Sequence, residues 1–157
     1  MMVVLTGPVR SGKSSMAMDL ALSRGGRVLV AVGGREDDAE MVRRIAAHRE
    51  ARPPSVRVLE VDADPSWLHA TSRDECLVLD CLGTVLAHSL AGLVPDGEDL
   101  IDAEAEAAAG AAADALVSAL LSRTGDTIVV TNEVGWGVVP ASPLGRLFRD
   151  VLGRANR

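Results

Sequence analysis

The sequence predicts an α/β fold, a mostly parallel sheet with helices on both faces. Short apolar runs alternate along the chain with longer stretches of helical character. The runs are apolar almost without interruption, as strands buried on both faces are. Between the first run and the first helical stretch lies a turn bounded by glycines, Gly7 to Ser14. In sheets of this kind ligands gather at the carboxyl ends of the strands, so that turn is the first place to look for chemistry. The chain has 157 residues, 48% of them hydrophobic, which suits a single domain over residues 1–157 with a buried core.

Val3–Thr6 reads as a short buried strand, and Lys13–Ser23 as a helix broken by Gly25-Gly26. Arg27–Val32 is the second strand. Asp37–Glu50 reads as a helix, with Asp37 and Asp38 at its positive end and Met41, Ile45 and His48 at helical spacing. Pro53-Pro54 ends it. Val56–Val61 is a strand of alternating character. Trp67–Ala70 is a short helix before the strand Cys76–Asp80, and Leu82–Leu93 is helical. After the turn Pro95-Asp96-Gly97, the alanine-rich segment Asp99–Arg123 predicts a long helix from propensity alone. Thr127–Thr131 is a strand, Asn132–Pro140 a glycine-containing loop, and Leu144–Leu152 a last helix stopped by Gly153.

Composition excludes several functions. A formal charge of −6 and a single lysine, Lys13, do not make a general nucleic-acid binder. Aromatic residues are limited to Phe148, Trp67 and Trp136, too few for a platform that stacks bases. Cys76 and Cys81 have no zinc spacing and read as reduced, buried cysteines. No basic region precedes the apolar N-terminus, and no apolar run reaches the ~18 residues of a membrane helix. The expectation is a soluble cytoplasmic protein without a membrane span.

Gly7-Pro8-Val9-Arg10-Ser11-Gly12-Lys13-Ser14 matches G-x-x-x-x-G-K-[ST] in full, with a strand before it and a helix after it. This is a P-loop, and it makes the fold a P-loop nucleotide-binding fold. Its glycines let backbone N–H groups surround phosphate oxygens, Lys13 places a charge on the outer phosphates, and the Ser14 hydroxyl completes the shell of a Mg²⁺ ion. Cys76–Asp80 is an apolar strand ending in a carboxylate, the pattern of a second acid directed at Mg²⁺, although strands also end in Asp for turn reasons. A P-loop establishes nucleotide, not reaction: a switch, a kinase and a nucleotidyl transferase all begin this way.

Three further groups of residues carry a resemblance. They are Glu40-Met41 with Arg44-Ile45-Ala46-Ala47-His48 and Arg52-Pro53; Asp80-Cys81-Leu82-Gly83-Thr84; and Asn132-Glu133-Val134-Gly135-Trp136-Gly137-Val138-Val139-Pro140 followed by Arg146-Leu147-Phe148-Arg149-Asp150 and Gly153-Arg154-Ala155-Asn156. In this order, after T-G-x-x-R-S-G-K-S, they resemble the bifunctional adenosylcobinamide kinase / adenosylcobinamide-phosphate guanylyltransferase family over essentially the whole chain. The resemblance implies two reactions. ATP or GTP phosphorylates adenosylcobinamide; GTP then gives GMP to adenosylcobinamide phosphate and releases pyrophosphate through a GMP–histidine intermediate. The matching histidine is His48. The resemblance also implies GTP contacts at Ala31, Val32, Gly33, at Arg49, Glu50, Ala51 and Arg52, and at Glu60, together with a homotrimer. His69 and His88 match no family motif. On a helix starting at Asp37, His48 lies roughly 16 Å along the axis, so that helix crosses the site, moves on nucleotide binding, or meets a site completed by a neighbouring subunit.

The sequence departs from the family pattern at Val32, where a hydroxyl residue is usual, at Met18 in place of Glu, and at Val56 in place of Trp. These touch the finer nucleotide contacts rather than the phosphate loop. The family pattern continues past Arg157 through a helix and strand. A shortened or truncated chain would expose a sheet edge, with low solubility or altered assembly expected. Two other readings remain at this point: retention of only one activity, and a nucleotide-controlled switch without transfer chemistry. The i,i+4 spacing of Arg146 and Asp150 suits an ion pair on one helix face and equally a role of the two with substrate.

Overall fold

The computed structural model describes residues 1–33, 53–91 and 101–157. Its elements are β1 (Met2–Leu5), α1 (Lys13–Ser23), β2 (Arg27–Gly33), β3 (Arg57–Val61), a 3-10 helix (Pro65–Ala70), β4 (Glu75–Asp80), α2 (Leu82–Ala91), α3 (Ala103–Ser122), β5 (Thr127–Val130) and α4 (Pro143–Asn156). The helix expected over Asp37–Glu50, with His48, and the turn at Pro95-Asp96-Gly97 lie outside the described residues. The five strands form one sheet in the order β1-β5-β4-β2-β3. Every pairing is parallel, so all five carboxyl ends emerge along one edge.

Alternation along the strands divides the core between the two faces. Leu29, Leu77, Leu79 and Val129 face α2, α3 and α4, where Leu86, Leu116 and Leu152 pack against them. Val28, Val30, Val78 and Ile128 face the other way, onto Ala17 and Ala21 of α1. The small alanines let α1 approach the sheet closely, and that helix begins at the glycine-bounded turn.

Several boundaries differ from the sequence expectation for local reasons. β1 is not buried: it pairs only with β5 among the described residues, and Val4 is 54% exposed. α3 begins at Ala103 because the Asp102 carboxylate accepts from Ala105 N–H at 2.7 Å, a side-chain N-cap reinforced by Glu104 and Glu106 in the first turn. α4 starts at Pro143 behind a Ser142 cap and runs through Gly153 to Asn156. An interior glycine costs a helix about 1 kcal/mol; here the last turn is held by the Arg154–Asp114 ion pair and by Asn156, which accepts from Thr131 Oγ1 and donates to Asn132 O. By length and composition α3 is apolar enough to cross a membrane. Ala109, Ala113, Leu116 and Leu120 of that helix are buried in the core, as in a core helix of a folded domain.

The charged network lies at the amino ends of the strands, away from the edge where ligands gather. Arg57 donates to both oxygens of Glu75, which is buried, and Asp126 accepts from the chain amino group and from Arg24. Arg123 ties this end together, donating to the carbonyls of Ser72, Glu75 and Asp126 and to the hydroxyls of Thr71 and Thr127. Replacing Arg123 by Ala removes five hydrogen bonds from this end, although the carbonyls of Ser72 and Asp126 keep the backbone N–H groups of Glu75 and Leu77, and a loss of about 1–3 kcal/mol is expected. Urea unfolding measures it; a change under 0.5 kcal/mol, roughly the effect of a plain surface substitution, would show the clamp to be idle.

The hydrogen bond from Arg57 holds the Glu75 carboxyl below the usual carboxylate range, against the opposing effect of burial. A carboxyl lowered in this way stabilises the fold above its unfolded pKa of about 4.3, and that stability is lost as pH falls through the lower folded value. The stability gap between the wild type and Glu75→Gln is therefore flat near neutrality and closes on acidification below about pH 4.3. Unfolding curves from pH 7 to pH 3 test this, and a gap independent of pH would refute it.

Candidate functional site

The turn from β1 into α1 is shaped by left-handed backbone at Arg10 (φ 61°) and Gly12 (φ 85°), the latter capping α1. Glycine adopts that conformation without the Cβ penalty. The result brings the N-terminus of an eleven-residue helix, with its unpaired N–H groups, to the carboxyl edge of the sheet. Lys13 curls over the turn and donates to Gly7 O at 2.8 Å, Pro8 O at 2.6 Å and Ser11 Oγ at 3.4 Å. All three acceptors are neutral, so its charge meets no carboxylate among the described residues.

Ser14 Oγ donates to Asp80 Oδ1 at 2.9 Å. Asp80 ends β4, and β5 lies between β4 and β1. The turn therefore leaves β1, passes over the end of β5, and delivers the first helical residues above β4. The two residues read from sequence as directed at a metal are brought together, although 66 positions separate them. They fit Mg²⁺, which takes one or two protein oxygens and fills its remaining positions with water and phosphate. Among the described residues no cluster of three or more His, Cys, Asp or Glu is placed to hold a metal, so a closed cage of the transition-metal kind is not built there.

A second arm borders the turn. Leaving β5, Thr131 N–H donates to Leu5 O at 2.9 Å and Glu133 N–H to Gly7 O at 3.3 Å, while Thr6 Oγ1 donates to Glu133 Oε2 at 3.3 Å. Asn132 and Glu133 thus stand beside the glycine turn. Thr6 stands at this edge beside the residues that the sequence pattern singles out. Its signal is its place immediately before Gly7, where the strand's last turn of direction leaves a hydroxyl at the edge.

The remaining site expectations fall elsewhere along the same edge or beyond the described residues. Ala31 is fully buried in the core, while Val32 and Gly33 at the end of β2 are half-buried. Glu60 stands opposite Val32 on β3. β2 is the neighbour of β4, so these positions lie about 5 and 10 Å from Asp80 across the sheet. His48, Arg49, Glu50, Ala51 and Arg52 are outside the described residues. Two readings are corrected. Arg146 does not pair with Asp150; it donates to Pro140 O and Ala141 O behind its own helix, and Arg149 takes Asp150. Cys76 is buried, but Cys81 is only half-buried, just past the strand end, within 2.8 Å of Thr84 Oγ1. Burial pushes the Cys76 thiol up, which keeps it protonated and inert.

Comparison with known proteins places these features in context. A family model described as cobinamide kinase / cobinamide phosphate guanyltransferase matches residues 3–157. The bifunctional adenosylcobalamin biosynthesis protein CobU of Escherichia coli (strain K12) is 35% identical over 166 residues, covering 100% of this chain and 88% of its own. The bifunctional adenosylcobalamin biosynthesis protein CobP of Pseudomonas aeruginosa is 38% identical over 155 residues, covering 96% and 82%. Among solved structures, an ATPase of a bacterial type III secretion system superposes with a TM-score of 0.53 at 13% identity, over 96% of this chain and 49% of that one. That likeness concerns the fold alone: a parallel sheet with helices packed on it.

The end of β2 yields a prediction. A Cβ on Gly33 would lie 2.6 Å from Val85 N and 2.7 Å from Val85 Cα. Those are backbone atoms of α2 and cannot swing aside. Gly33→Ser is expected to destabilise the protein by about 1–3 kcal/mol, whereas Val32→Thr, beside it, is expected to cost less than half as much. Paired thermal or urea melts decide; equal effects at the two positions would refute the steric account.

Proposed function

This chain belongs to the cobinamide kinase / cobinamide phosphate guanyltransferase family, and from that premise we propose that it catalyses both reactions of adenosylcobalamin assembly that the family name describes. In the first, ATP or GTP phosphorylates the aminopropanol hydroxyl of adenosylcobinamide. In the second, GTP transfers GMP to the resulting phosphate. The reading treats residues 1–157 as one catalytic domain, acting in the cytoplasm as a homotrimer.

The observation that carries it is the 2.9 Å bond between Ser14 and Asp80, which makes the glycine turn and the carboxylate of β4 one site. Gly7, Pro8, Val9, Arg10, Ser11 and Gly12 supply the backbone wrap for the outer phosphates. Lys13, now held by neutral acceptors, is able to exchange them for phosphate oxygens at little electrostatic cost. Ser14 and Asp80 hold Mg²⁺, which when bound offsets negative charge on those phosphates. With the phosphates above β4 and β5, the nucleoside end reaches toward Val32 and Gly33 of β2, Ala31 beneath them, and Glu60 of β3. Arg49, Glu50, Ala51 and Arg52 complete that end in the reading offered.

His48 is the nucleophile of the second reaction. A neutral imidazole nitrogen attacks the α-phosphorus of GTP; the bond from that phosphorus to the bridging oxygen breaks, and pyrophosphate leaves. A phosphate oxygen of the corrinoid substrate then attacks the same phosphorus, the P–N bond breaks, and the free imidazole returns. Splitting one displacement into two lowers each barrier, and an unperturbed histidine, with a pKa of about 6.5, is largely neutral at pH 7 and above.

Incubation with α-labelled GTP and Mg²⁺ is expected to leave acid-labile label on the protein. The label is expected to vanish in His48→Ala and to form about 100-fold or more slowly in Lys13→Ala, as for loss of one charged contact to a developing anion. Undiminished label in His48→Ala would refute the nucleophile. Nucleotide binding with no label in the wild type would instead favour a switch, and phosphorylated cobinamide without label would favour a kinase alone.

A further inference from the structure

The segment that follows β5 carries the most exposed apolar surface among the described residues. Trp136 is 90% exposed, Val138 96% and Val139 59%. The chain has two tryptophans, one phenylalanine and no tyrosine. Trp67 is half-buried with its Nε1–H donated to Asp62 O, and Phe148 packs on the core. Trp136 is thus the one aromatic side chain left to solvent. The segment is fastened at both ends: Glu133 N–H to Gly7 O and Thr6 Oγ1 to Glu133 at one, Arg146 to the carbonyls of Pro140 and Ala141 at the other. Between those anchors an apolar crown projects, and Val9 on the adjoining glycine turn is itself 64% exposed.

Charge narrows the occupant. Between Thr131 and Arg146 the only charged side chain is Glu133, so nothing in the crown draws a polyanion or an anionic lipid surface. Size narrows it further. A stable subunit contact needs about 20–30 residues a side, far more than three side chains of one loop supply. Position completes the argument. Trp136 is three residues from Glu133, so its Cα lies within roughly 11 Å of an arm bonded to the phosphate turn. A substrate whose hydroxyl receives phosphate at that turn has this loop within reach of the rest of its body.

Resting on the function proposed above, we infer that Trp136, Val138 and Val139 are the docking surface for the corrinoid itself, a macrocycle with an apolar, methyl-bearing face and a rim of neutral amides. Trp136 is its principal contact, because a rigid indole gives the most apolar area for the least ordering. The loop then sets corrinoid affinity in both reactions while leaving nucleotide chemistry untouched.

The test is Trp136→Ser/Val138→Ser, with Trp136→Phe as the conservative variant. Acid-labile labelling by GTP in the absence of corrinoid is expected to equal that of wild type, which also certifies the fold. The KM for adenosylcobinamide in the kinase reaction is expected to rise about 10- to 100-fold, as for loss of a binding hot spot, with Trp136→Phe largely restored. In the wild type, saturating adenosylcobinamide is expected to protect Trp136 from N-bromosuccinimide oxidation, read by mass spectrometry. An unchanged KM or an unprotected Trp136 overturns the inference and leaves the proposed function standing. So does a double variant with altered mass in light scattering, which would make the loop a subunit contact, or wild-type binding to neutral lipid vesicles that the double variant lacks. A wild type that turns over no cobinamide at all overturns the proposed function, and this inference with it.

Discussion

The hydrogen bond between Ser14 and Asp80 is the constraint on which the arrangement turns. It joins the start of α1 to the end of β4 across an intervening strand. That requires the glycine turn to travel sideways over β5 instead of rising straight from β1. Gly12 makes the path possible by adopting left-handed backbone where the helix begins. Once the turn crosses β5, the exit of β5 has to run beside it, and the contacts of Thr6 and Glu133 with one another and of Glu133 with Gly7 follow. A phosphate held by the turn would then have a helix N-terminus, a lysine, a hydroxyl and a carboxylate around it, drawn from two separate places in the chain.

The sheet separates stability from chemistry. At the amino ends, Arg57–Glu75 and Arg24–Asp126 pair their charges, and Arg123 commits its N–H groups to backbone carbonyls and threonine hydroxyls in the half-buried interior. At the carboxyl ends, Lys13 rests on neutral acceptors and an indole stands in solvent. Ionic groups matched to each other have little left for a ligand. Groups at the other edge keep that capacity, as expected where ligands bind a parallel sheet. Membership of the cobinamide kinase / guanyltransferase family then supplies the identity of the ligand that the geometry describes only as a phosphate.

The parallel sheet was legible because its strands are apolar on both faces, and the phosphate turn because its glycines and lysine come at fixed spacing. Asp80 was legible as a strand-terminal acid, and its pairing with Ser14 followed from the motif. What escaped was set by tertiary context. The exposure of β1 depends on which strands flank it, not on its own composition. Gly153 reads as a stop, yet α4 continues because Asn156 finds partners on the exit of β5. Arg146 and Asp150 have the right spacing for a pair, but Arg146 lies in the first turn of its helix, where the preceding carbonyls are nearer. The exposure of Trp136 also could not be read locally, because a tryptophan between glycines is equally at home under a loop.

The central claim is that Ser14 and Asp80 act as one site for a nucleotide-bound cation. Its most direct test is the affinity for GTP, by equilibrium titration with and without Mg²⁺, in the wild type and in Asp80→Asn. The account predicts that Mg²⁺ tightens GTP binding to the wild type, that most of this tightening disappears in Asp80→Asn, and that the two proteins bind GTP alike when Mg²⁺ is removed. Equal Mg²⁺ dependence in both proteins would contradict it.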